Sequence, residues 1–250
     1  MIACECIASA YPDERKTTMK YNQVVSGSFL QRPNRFIAHV RINDREEICH
    51  VKNTGRCREL LVPGCTVYCA VSDNPQRKTK YDLIAVEKIT ETGTLLVNMD
   101  SQAPNAAAKE WLQSGASPFG KLDVIKPEYK YGNSRFDFYL EKEKRKIFLE
   151  VKGVTLEGNG IVLFPDAPTE RGVKHVRELI RCHEEGFGPW ILFVVQMENV
   201  LYFTPNRKTH PQFTDALCEA QKAGVHLLAY TCRVTPDEMK INKELEIKLC

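Results

Sequence analysis

The sequence predicts two consecutive folded units, a small β-barrel followed by an α/β domain with a mixed sheet and helices on its faces. Residues 21–98 read as about five short strands separated by Gly and Pro turns, which is typical of a closed or nearly closed barrel. After Ser101, strands alternate with helices, as in a sheet covered by helices. We therefore predict an extension without a place in the fold at 1–20, a barrel at 21–100 and an α/β domain at 101–250.

The first half supplies the barrel strands in order. Pro33 and Asn34 break one strand, and RFIAHVRI after them alternates apolar and polar residues. EEICHV follows the turn signal at Asn43 and Asp44, NTGR reads as a loop, and CREL reads as a helical turn. The strands TVYCAV, KYDLIAVEKI and TLLVNMD complete the predicted barrel.

The second half supplies three helices and a series of strands. Pro104 suits the first turn of a helix that ends near Gly115, and Pro168 opens an amphipathic helix that Gly186 stops. HPQFTDALCEAQKAG is the third helix. The predicted strands are KLDVIKPEYK, SRFDFYLE, KIFLEVKGVTLE, GIVLFP, PWILFVVQM, VLYFTPN and VHLLAYTCRV.

The composition argues against a membrane protein and against a strongly basic one. No apolar run approaches the roughly 18 to 20 residues that span a bilayer, and the first 20 residues lack the basic start of a signal peptide. The ten cysteines show no zinc spacing, so we expect free thiols and a cytoplasmic protein. Because the formal charge is only +3, a nucleic-acid footprint has to be local.

One aspartate and a glutamate–lysine pair lie in two neighbouring apolar strands joined by the charged turn EKEKRK. A hairpin places Asp137 beside Glu150, and Lys152 shares the face of Glu150 because it lies two residues further on. Charged groups are costly to bury unless they are paired or bind a metal. Two carboxylates and the Val151 carbonyl would hold Mg²⁺ or Mn²⁺, and the lysine would activate a water for phosphodiester hydrolysis.

The surroundings of this pattern leave alternatives open. A solvated strand face is the commoner origin of an isolated D…ExK pattern, yet Phe136 and Phe138 frame the aspartate as in a central strand. Glu128, one strand earlier, is either a third carboxylate for the metal or a solvent-facing residue. Arg135 alternates with Phe136, so we expect it to face away from that ring and toward phosphate.

Six segments occur in a fixed order between Gln31 and Ile180. They are RPNRF, HVKNTGRCRELLVPG, APNAAAKEWL, GNSRFDFYLE, LEVKGVTLE and FPDAPTERGVKHVRELI. Together they closely resemble the sugar fermentation stimulation protein A family, and in length and layout the resemblance covers residues 21–249. Six separate segments make a chance match very improbable.

The resemblance implies an OB-fold-like barrel followed by a domain of the PD-(D/E)xK nuclease superfamily, which is a restriction-endonuclease-like mixed sheet flanked by helices. It also implies nonspecific DNA binding and a role in regulating sugar use, notably maltose metabolism. In the superfamily pattern, Asp137, Glu150 and Lys152 occupy the metal and catalytic positions. The family is described chiefly as DNA-binding, so the resemblance leaves nuclease activity open.

Basic and amide groups in two segments are predicted to contact DNA, chiefly through its phosphates. In the helix after Pro168, Arg171, Lys174, His175 and Glu178 share one face, which is otherwise a plain solvated face. In the barrel, a glycine permits close backbone approach in a loop rich in donors. The barrel candidates are Arg32, Asn34, Arg35, Lys52, Asn53, Thr54, Arg56 and Arg58.

Three functions therefore remain. The chain is a Mg- or Mn-dependent DNA endo- or exonuclease, a non-cleaving DNA-binding regulator of sugar metabolism, or a protein that binds RNA or a nucleotide. OB-folds stack single-stranded bases on aromatic rings, but we expect Phe36 and Tyr68 to pack inside the barrel. No P-loop or dinucleotide fingerprint is present, which argues against nucleotide hydrolysis. We predict DNA, single- or double-stranded, as the partner and no membrane, and we leave a homo-oligomer open.

Overall fold

The first half of the chain forms a closed barrel. This computed structural model describes residues 19–53, 55–91, 93–132 and 134–249. The first six strands are Val24–Asn34 (β1), Ile37–Ile42 (β2), Arg45–Val51 (β3), Thr66–Val71 (β4), Tyr81–Thr90 (β5) and Gly93–Asn98 (β6). Strands β1 to β5 pair in the ring β1-β2-β3-β5-β4, and β4 returns to β1. The parallel pair β3–β5 closes the ring, and β6 extends β5 outside it. The predicted barrel is confirmed as an OB-fold.

The predicted break at Pro33 and Asn34 is wrong by two residues. Strand β1 continues through both residues, and the chain turns at Arg35 and Phe36 instead. The pairing of β1 with β2 is irregular on the way there, with register shifts between Phe29 and Asn34. A proline that gives no ladder hydrogen bond fits such an irregular stretch, so the proline signal marks a bulged strand end.

The second half builds a mixed sheet with helices on both faces. Its elements are Ala103–Gln113 (α1), Val124–Tyr131 (β7), Ser134–Lys142 (β8), Arg145–Val154 (β9), Leu156–Gly158 (β10), Ile161–Phe164 (β11), Glu170–Glu184 (α2), Gly188–Val195 (β12), Tyr202–Pro205 (β13), Pro211–Lys222 (α3), His226–Thr235 (β14) and Glu238–Glu244 (β15). The main sheet has the order β15-β14-β12-β9-β8-β7, with β12 parallel to both β9 and β14. Strands β10, β11 and β13 form a separate small sheet.

Strand β15 is the element that the sequence analysis missed. It pairs antiparallel with β14 and buries only Met239 and Ile241, while its other residues are charged or polar. Two apolar residues in seven are a weak signal for a strand. The edge position explains the composition, because an edge strand with exposed charges resists pairing with other chains.

The helices cover the main sheet on opposite sides. Helix α1 belongs to one apolar cluster, through Ala107 and Trp111, against the β8 and β9 side chains that point toward it. Helices α2 and α3 belong to a second cluster, which continues without interruption into the barrel core. None of the helices in the described part of the chain is long and apolar enough to cross a membrane.

A buried glutamine joins the barrel to the main sheet. The Gln196 side-chain amide donates to the main-chain oxygens of Asn98 and Asp100, at 3.0 and 3.1 Å. Its main-chain oxygen accepts the Asn98 amide at 3.0 Å. The end of β6 and the end of β12 are therefore fixed to each other, and the Gln196 main-chain amide also donates to the Val154 carbonyl at the end of β9 at 3.0 Å.

The beginning of the described chain is held against the second half. Residues 1–18 of the predicted extension lie outside the described residues. The Met19 amide donates to the Glu110 carboxylate at 3.0 Å, and the Tyr21 amide donates to the Asp237 carbonyl at 2.8 Å. The segment before β1 thus crosses α1 and the β14–β15 turn before the barrel begins.

Candidate functional site

The backbone pairing between β8 and β9 begins at their connecting turn and ends at Phe138 and Leu149. Asp137 is the next residue of β8 beyond this last pair. Its Oδ2 atom accepts the main-chain amide of Val151 at 2.7 Å. A side-chain carboxylate therefore satisfies a backbone donor at the point where the pairing stops, and the two central strands separate at this position.

The second oxygen of this aspartate is held from helix α1. Asn105 Nδ2 donates to Asp137 Oδ1 at 2.8 Å. Burial raises the pKa of Asp137, and the negative charge of Glu150 raises it further, against the two hydrogen bonds. Asn105 was not among the predicted site residues. Its only sequence signal is its place in the segment APNAAAKEWL, directly after the helix start.

Glu150 is the most deeply buried charge of the site, with 3% of its surface exposed. Its Oε1 atom lies 2.6 Å from Lys152 Nζ and 2.5 Å from His175 Nδ1. Burial by itself raises the pKa of Glu150, but the hydrogen bond from His175 and the charge of Lys152 outweigh it, so the pKa is lowered. Its Oε2 atom is buried and has no hydrogen-bond partner in the described part of the chain.

His175 is a buried support for this glutamate and not the exposed DNA contact that the sequence suggested. Its Nδ1 atom faces Glu150, and Arg171 Nε lies 3.4 Å from its Nε2. The four residues do share a face of α2, since Arg171 contacts His175 and Lys174 lies 3.9 Å from Glu178, but that face is only partly exposed. Arg171 and Lys174 are exposed, whereas His175 and Glu178 are buried, because α2 packs against both the main sheet and α3 and so buries a wider stripe.

The donor set suits a hard divalent cation only partly. Asp137 and Glu150 supply carboxylate oxygens, and the unpartnered Oε2 of Glu150 is the kind of buried atom that a metal ion would satisfy. Among the residues that the structure describes, however, no group of three or more His, Cys, Asp or Glu side chains is arranged to hold a metal. The Val151 carbonyl stays the predicted further ligand.

Glu128 is not brought into this group. It pairs with Arg135 at 3.1 Å, and both side chains are largely exposed, at 59% and 63%. Of the two readings of Glu128, the structure favours the solvent-facing residue, because its partner is a surface arginine. Arg135 faces solvent as expected, but its charge is already matched by this carboxylate.

The start of α2 depends on a capped turn and a small residue. Thr169 is the N-cap, and its hydroxyl accepts the Gly172 amide at 3.1 Å. A Cβ at Gly172 would come within 2.9 Å of the Thr169 side chain and 3.2 Å of Phe213. The glycine therefore allows the first turn to pack closely, which sets His175 beside Glu150 and Arg171 beside His175.

In the barrel, Arg32 is a structural residue instead of the predicted phosphate contact. Its guanidinium donates to four main-chain oxygens at 2.7 to 2.9 Å. These oxygens belong to Arg35, Asn53, Gly55 and Arg56. Because its terminal donors are engaged, Arg32 fixes the β1–β2 turn and the loop after β3 relative to each other.

Asn53 has a similar structural role. Its side-chain oxygen accepts the Gly55 amide at 2.8 Å, and its amide donates to the Met99 carbonyl at 2.9 Å. Thr54 lies outside the described residues. A Cβ at Gly55 would meet the Asp166 carboxylate at 2.3 Å. The glycine is thus required where the barrel loop touches the segment that precedes α2.

Lys52 belongs to a charge cluster where the end of β3 meets the start of β5. Its amine lies 3.3 Å from Asp82 and 3.6 Å from Asp100. Arg77 donates to both carboxylate oxygens of Asp82 at 2.7 and 2.9 Å, and His50 lies 3.1 Å from the same group. Lys52 is therefore paired internally, and we assign it a structural role in place of the predicted DNA contact.

The remaining candidates for DNA contacts have exposed side chains. Arg35 and Arg56 are exposed on the barrel, and Asn34 shapes the turn by accepting the amides of Phe36 and Ile37 at 2.9 and 3.0 Å. On α2, Lys174 lies 3.9 Å from Glu178. The sequence analysis missed Arg177 and Arg181, which line an open groove with Lys174 on the same helix.

Two family descriptions match the two halves of the chain. Residues 30–97 match the "SfsA N-terminal OB domain", and residues 102–238 match the "Sugar fermentation stimulation protein RE domain". These matches cover the barrel and the main sheet, and they include Asp137, Glu150 and Lys152.

Relatives in the same family match nearly the whole chain. The chain is 56% identical to a sugar fermentation stimulation protein homolog of Desulfitobacterium hafniense, over 92% of this chain and 99% of that protein. It is 53% identical to a homolog of Clostridium beijerinckii, over 92% of this chain and 100% of that one. The structure of Pyrococcus furiosus SfsA in complex with Ca²⁺ is similar with a TM-score of 0.81 at 30% identity, and covers 92% of this chain and 98% of that one.

Proposed function

This chain belongs to the sugar fermentation stimulation protein family, and from this premise we propose that it binds DNA through the backbone and hydrolyses phosphodiester bonds at Asp137, Glu150 and Lys152. The observation that carries the proposal is the Oε2 atom of Glu150, which is buried without a partner in the described residues, beside a second carboxylate. Glu178 Oε2 on α2 is likewise buried without a partner among these residues. What distinguishes Glu150 is the Asp137 carboxylate beside it and the Lys152 amine at 2.6 Å.

A divalent cation is the cofactor that this donor set favours. The relative from Pyrococcus furiosus is described in complex with Ca²⁺, and Mg²⁺, Mn²⁺ and Ca²⁺ all prefer oxygen ligands. In this chain Asp137, Glu150 and the Val151 carbonyl would hold the ion. When bound, a divalent ion stabilises the developing charge on a phosphate and lowers the pKa of a coordinated water.

The side chains around the carboxylates divide the remaining work. Lys152, whose amine is 2.6 Å from Glu150, would orient the attacking water and neutralise charge on the phosphate. Asn105 and the Val151 amide hold the two oxygens of Asp137 in place. His175 holds Glu150 from the helix side, so the carboxylates are oriented before substrate arrives.

DNA binding is supported by basic groups that have no internal carboxylate partner. Arg35 and Arg56 on the barrel and Arg177 on α2 are exposed, and no ion pair engages them within the described residues. Such groups contact phosphates without reading bases. The affinity should therefore fall steeply with added salt and depend weakly on sequence.

A second candidate function is a DNA-binding regulator that does not cleave. It is favoured by a specific observation, the absence of any group of three metal-ligating side chains among the described residues. In addition, Lys152 and His175 already occupy Oε1 of Glu150. In this case the same carboxylates hold the strands and α2 together, and the basic surface carries the function.

The test is incubation of the purified protein with labelled single- and double-stranded DNA, with and without Mg²⁺ or Mn²⁺. The variants are Asp137→Asn and Glu150→Gln, and the control is Glu143→Gln at the exposed β8–β9 turn. Cleavage that requires metal, is lost in both variants and persists in the control supports the nuclease. Binding without cleavage under every condition supports the regulator, and no binding to any DNA overturns both.

A further inference from the structure

The β1–β2 turn presents an aromatic ring to solvent. Phe36 is 47% exposed, and it is the one exposed phenylalanine in the described part of the chain. The Arg35 guanidinium lies 4.9 Å from its ring centroid. The expectation that Phe36 packs in the barrel is thus wrong. The exposed ring face is therefore accessible to a flat apolar partner.

A basic groove lies beside this ring. Its volume is about 540 Å³, and Arg35, Arg56 and Arg58 line it together with Leu61 and Pro63. No aspartate or glutamate among the described residues lines the groove, and all three arginines are exposed. Val62, between the two apolar lining residues, is 54% exposed. The surface therefore combines positive charge with apolar area and suits a ligand that carries phosphates and flat apolar faces.

The two walls of the groove are fixed before a ligand binds. Arg32 joins them through hydrogen bonds to the Arg35 oxygen on one wall and the Arg56 oxygen on the other, each at 2.7 Å. Asn34 holds the turn by accepting the Phe36 amide at 2.9 Å. A surface that is ordered in advance loses less conformational entropy on binding. This order favours a defined binding site over a loose basic surface.

We propose that this groove binds single-stranded DNA, with a base stacked on Phe36 and adjacent phosphates on Arg56 and Arg58. The inference rests on the proposed DNA binding and specifies its form. A duplex keeps its base faces inside the stack, so Phe36 gains nothing from it, whereas a single strand offers a free base face. The barrel thus selects the strand form, and the basic groups of α2 contribute without this selection.

The experiment is fluorescence anisotropy of the full chain with a labelled 20-nucleotide oligothymidine and with a 20-base-pair duplex, at low salt and without divalent metal. Because stacking contributes substantially per base, Phe36→Ala should weaken single-strand binding at least about fivefold and change duplex binding less than twofold. Phe36→Trp should retain single-strand binding. Ile48→Ala, at another exposed apolar residue of the barrel, should change neither.

The outcomes separate this inference from the proposal beneath it. If the unchanged protein binds DNA and Phe36→Ala weakens both forms equally or neither, the stacking site is overturned while DNA binding stands. If the unchanged protein binds neither form, the proposed function fails, and the stacking site fails with it. Arg56→Ala should weaken single-strand and duplex binding alike, since it removes a phosphate contact. Tighter binding to oligouridine than to oligothymidine would overturn the assignment to DNA.

Discussion

Two buried carboxylates, Asp82 in the barrel and Glu150 in the main sheet, carry the same charge. They differ in how many partners each of their oxygens has. Asp82 has partners on both oxygens, because Arg77 binds both and His50 and Lys52 bind one each. Glu150 has two partners on one oxygen and none on the other within the described residues. The first arrangement pairs both oxygens, and the second leaves one oxygen without a protein partner in the described part of the chain.

The difference teaches how to separate structural from functional charge. A buried carboxylate whose partners match its lone pairs needs nothing more, and its role is to hold elements together. One that keeps an unpaired oxygen costs stability unless a ligand completes it, and such costs are typical of functional sites. On this criterion Asp82 is structural. Within the described residues Glu150 and Glu178 each have an unpaired buried oxygen, and the neighbouring Asp137 carboxylate is what makes Glu150 the candidate ligand.

The largest expected effect is on chemistry. Lys152→Ala should lower metal-dependent cleavage by about 100- to 1000-fold, since a positioned charge at a developing negative centre contributes that much. DNA binding in the absence of metal should be unchanged. Lys146→Ala, an exposed lysine on the same strand, is the control in the same cleavage and anisotropy assays. Retained cleavage in Lys152→Ala would remove its catalytic role and weaken the distinction between the two sites.

The next largest effect is on the free energy of unfolding, measured for a variant of each carboxylate. Asp82→Asn leaves Arg77 and Lys52 without their counter-charge and should lower the free energy of unfolding by about 3 kcal/mol. Glu150→Gln should cost less than this, because the lost counter-charge of Lys152 is partly offset by removal of a buried charge with an unpaired oxygen. Urea unfolding at pH 7 measures both. Equal losses would break the comparison, because Glu150 would then be as structural as Asp82.

The pH dependence of stability should also identify Asp82 as a structural carboxylate. The hydrogen bonds from Arg77 and the charge of Lys52 outweigh burial and hold the pKa of Asp82 at about 2, below its usual 3.8. A lowered folded-state pKa contributes stability that is present above the unfolded pKa and lost as the pH falls through the folded value. About 2 kcal/mol should therefore be lost between about pH 4 and pH 2. Asp82→Asn should show a loss smaller by that amount in urea unfolding across this range.

The smallest effect concerns the support behind Glu150. His175→Gln should raise the Mn²⁺ concentration for half-maximal cleavage about tenfold, because residues that orient metal ligands contribute 10- to 100-fold to affinity. The rate at saturating Mn²⁺ should change much less. His183→Gln, an exposed histidine near the end of the same helix, is the control. A fall in the saturated rate with an unchanged Mn²⁺ midpoint would contradict the role of His175 as a positioning residue.

The sequence predicted the architecture well where the patterns were periodic. The barrel, the three helices and the central strands β8 and β9 follow from apolar spacing and from Gly and Pro positions. The edge strand β15 was not predicted, because two buried apolar residues among charged ones form only a weak strand pattern. The end of β1 was misplaced because Pro33 lies inside a bulged strand, where its missing donor does no harm.

The sequence indicated which residues belong to the candidate site but not the contacts among them. Asp137, Glu150 and Lys152 stood out because charges in apolar strands need a reason. Local sequence could not show that Asn105 would reach Asp137 from α1, or that His175 would turn inward, since both depend on helix packing. Nor could it show that Arg32 donates to four main-chain carbonyls, because a single sequence does not distinguish a solvent-exposed arginine from one that is hydrogen-bonded within the protein.

The contact between Tyr21 and Asp237 has a consequence for how the protein is made. During translation the barrel leaves the ribosome first, but the main-chain acceptor of the Tyr21 amide exists only once the β14–β15 turn has been synthesised. The contacts of this segment with Asp100 and with Glu110 on α1 can therefore form before this one. A nascent chain stalled before Asp237 would carry a leading segment held at α1 but not yet at the β14–β15 turn.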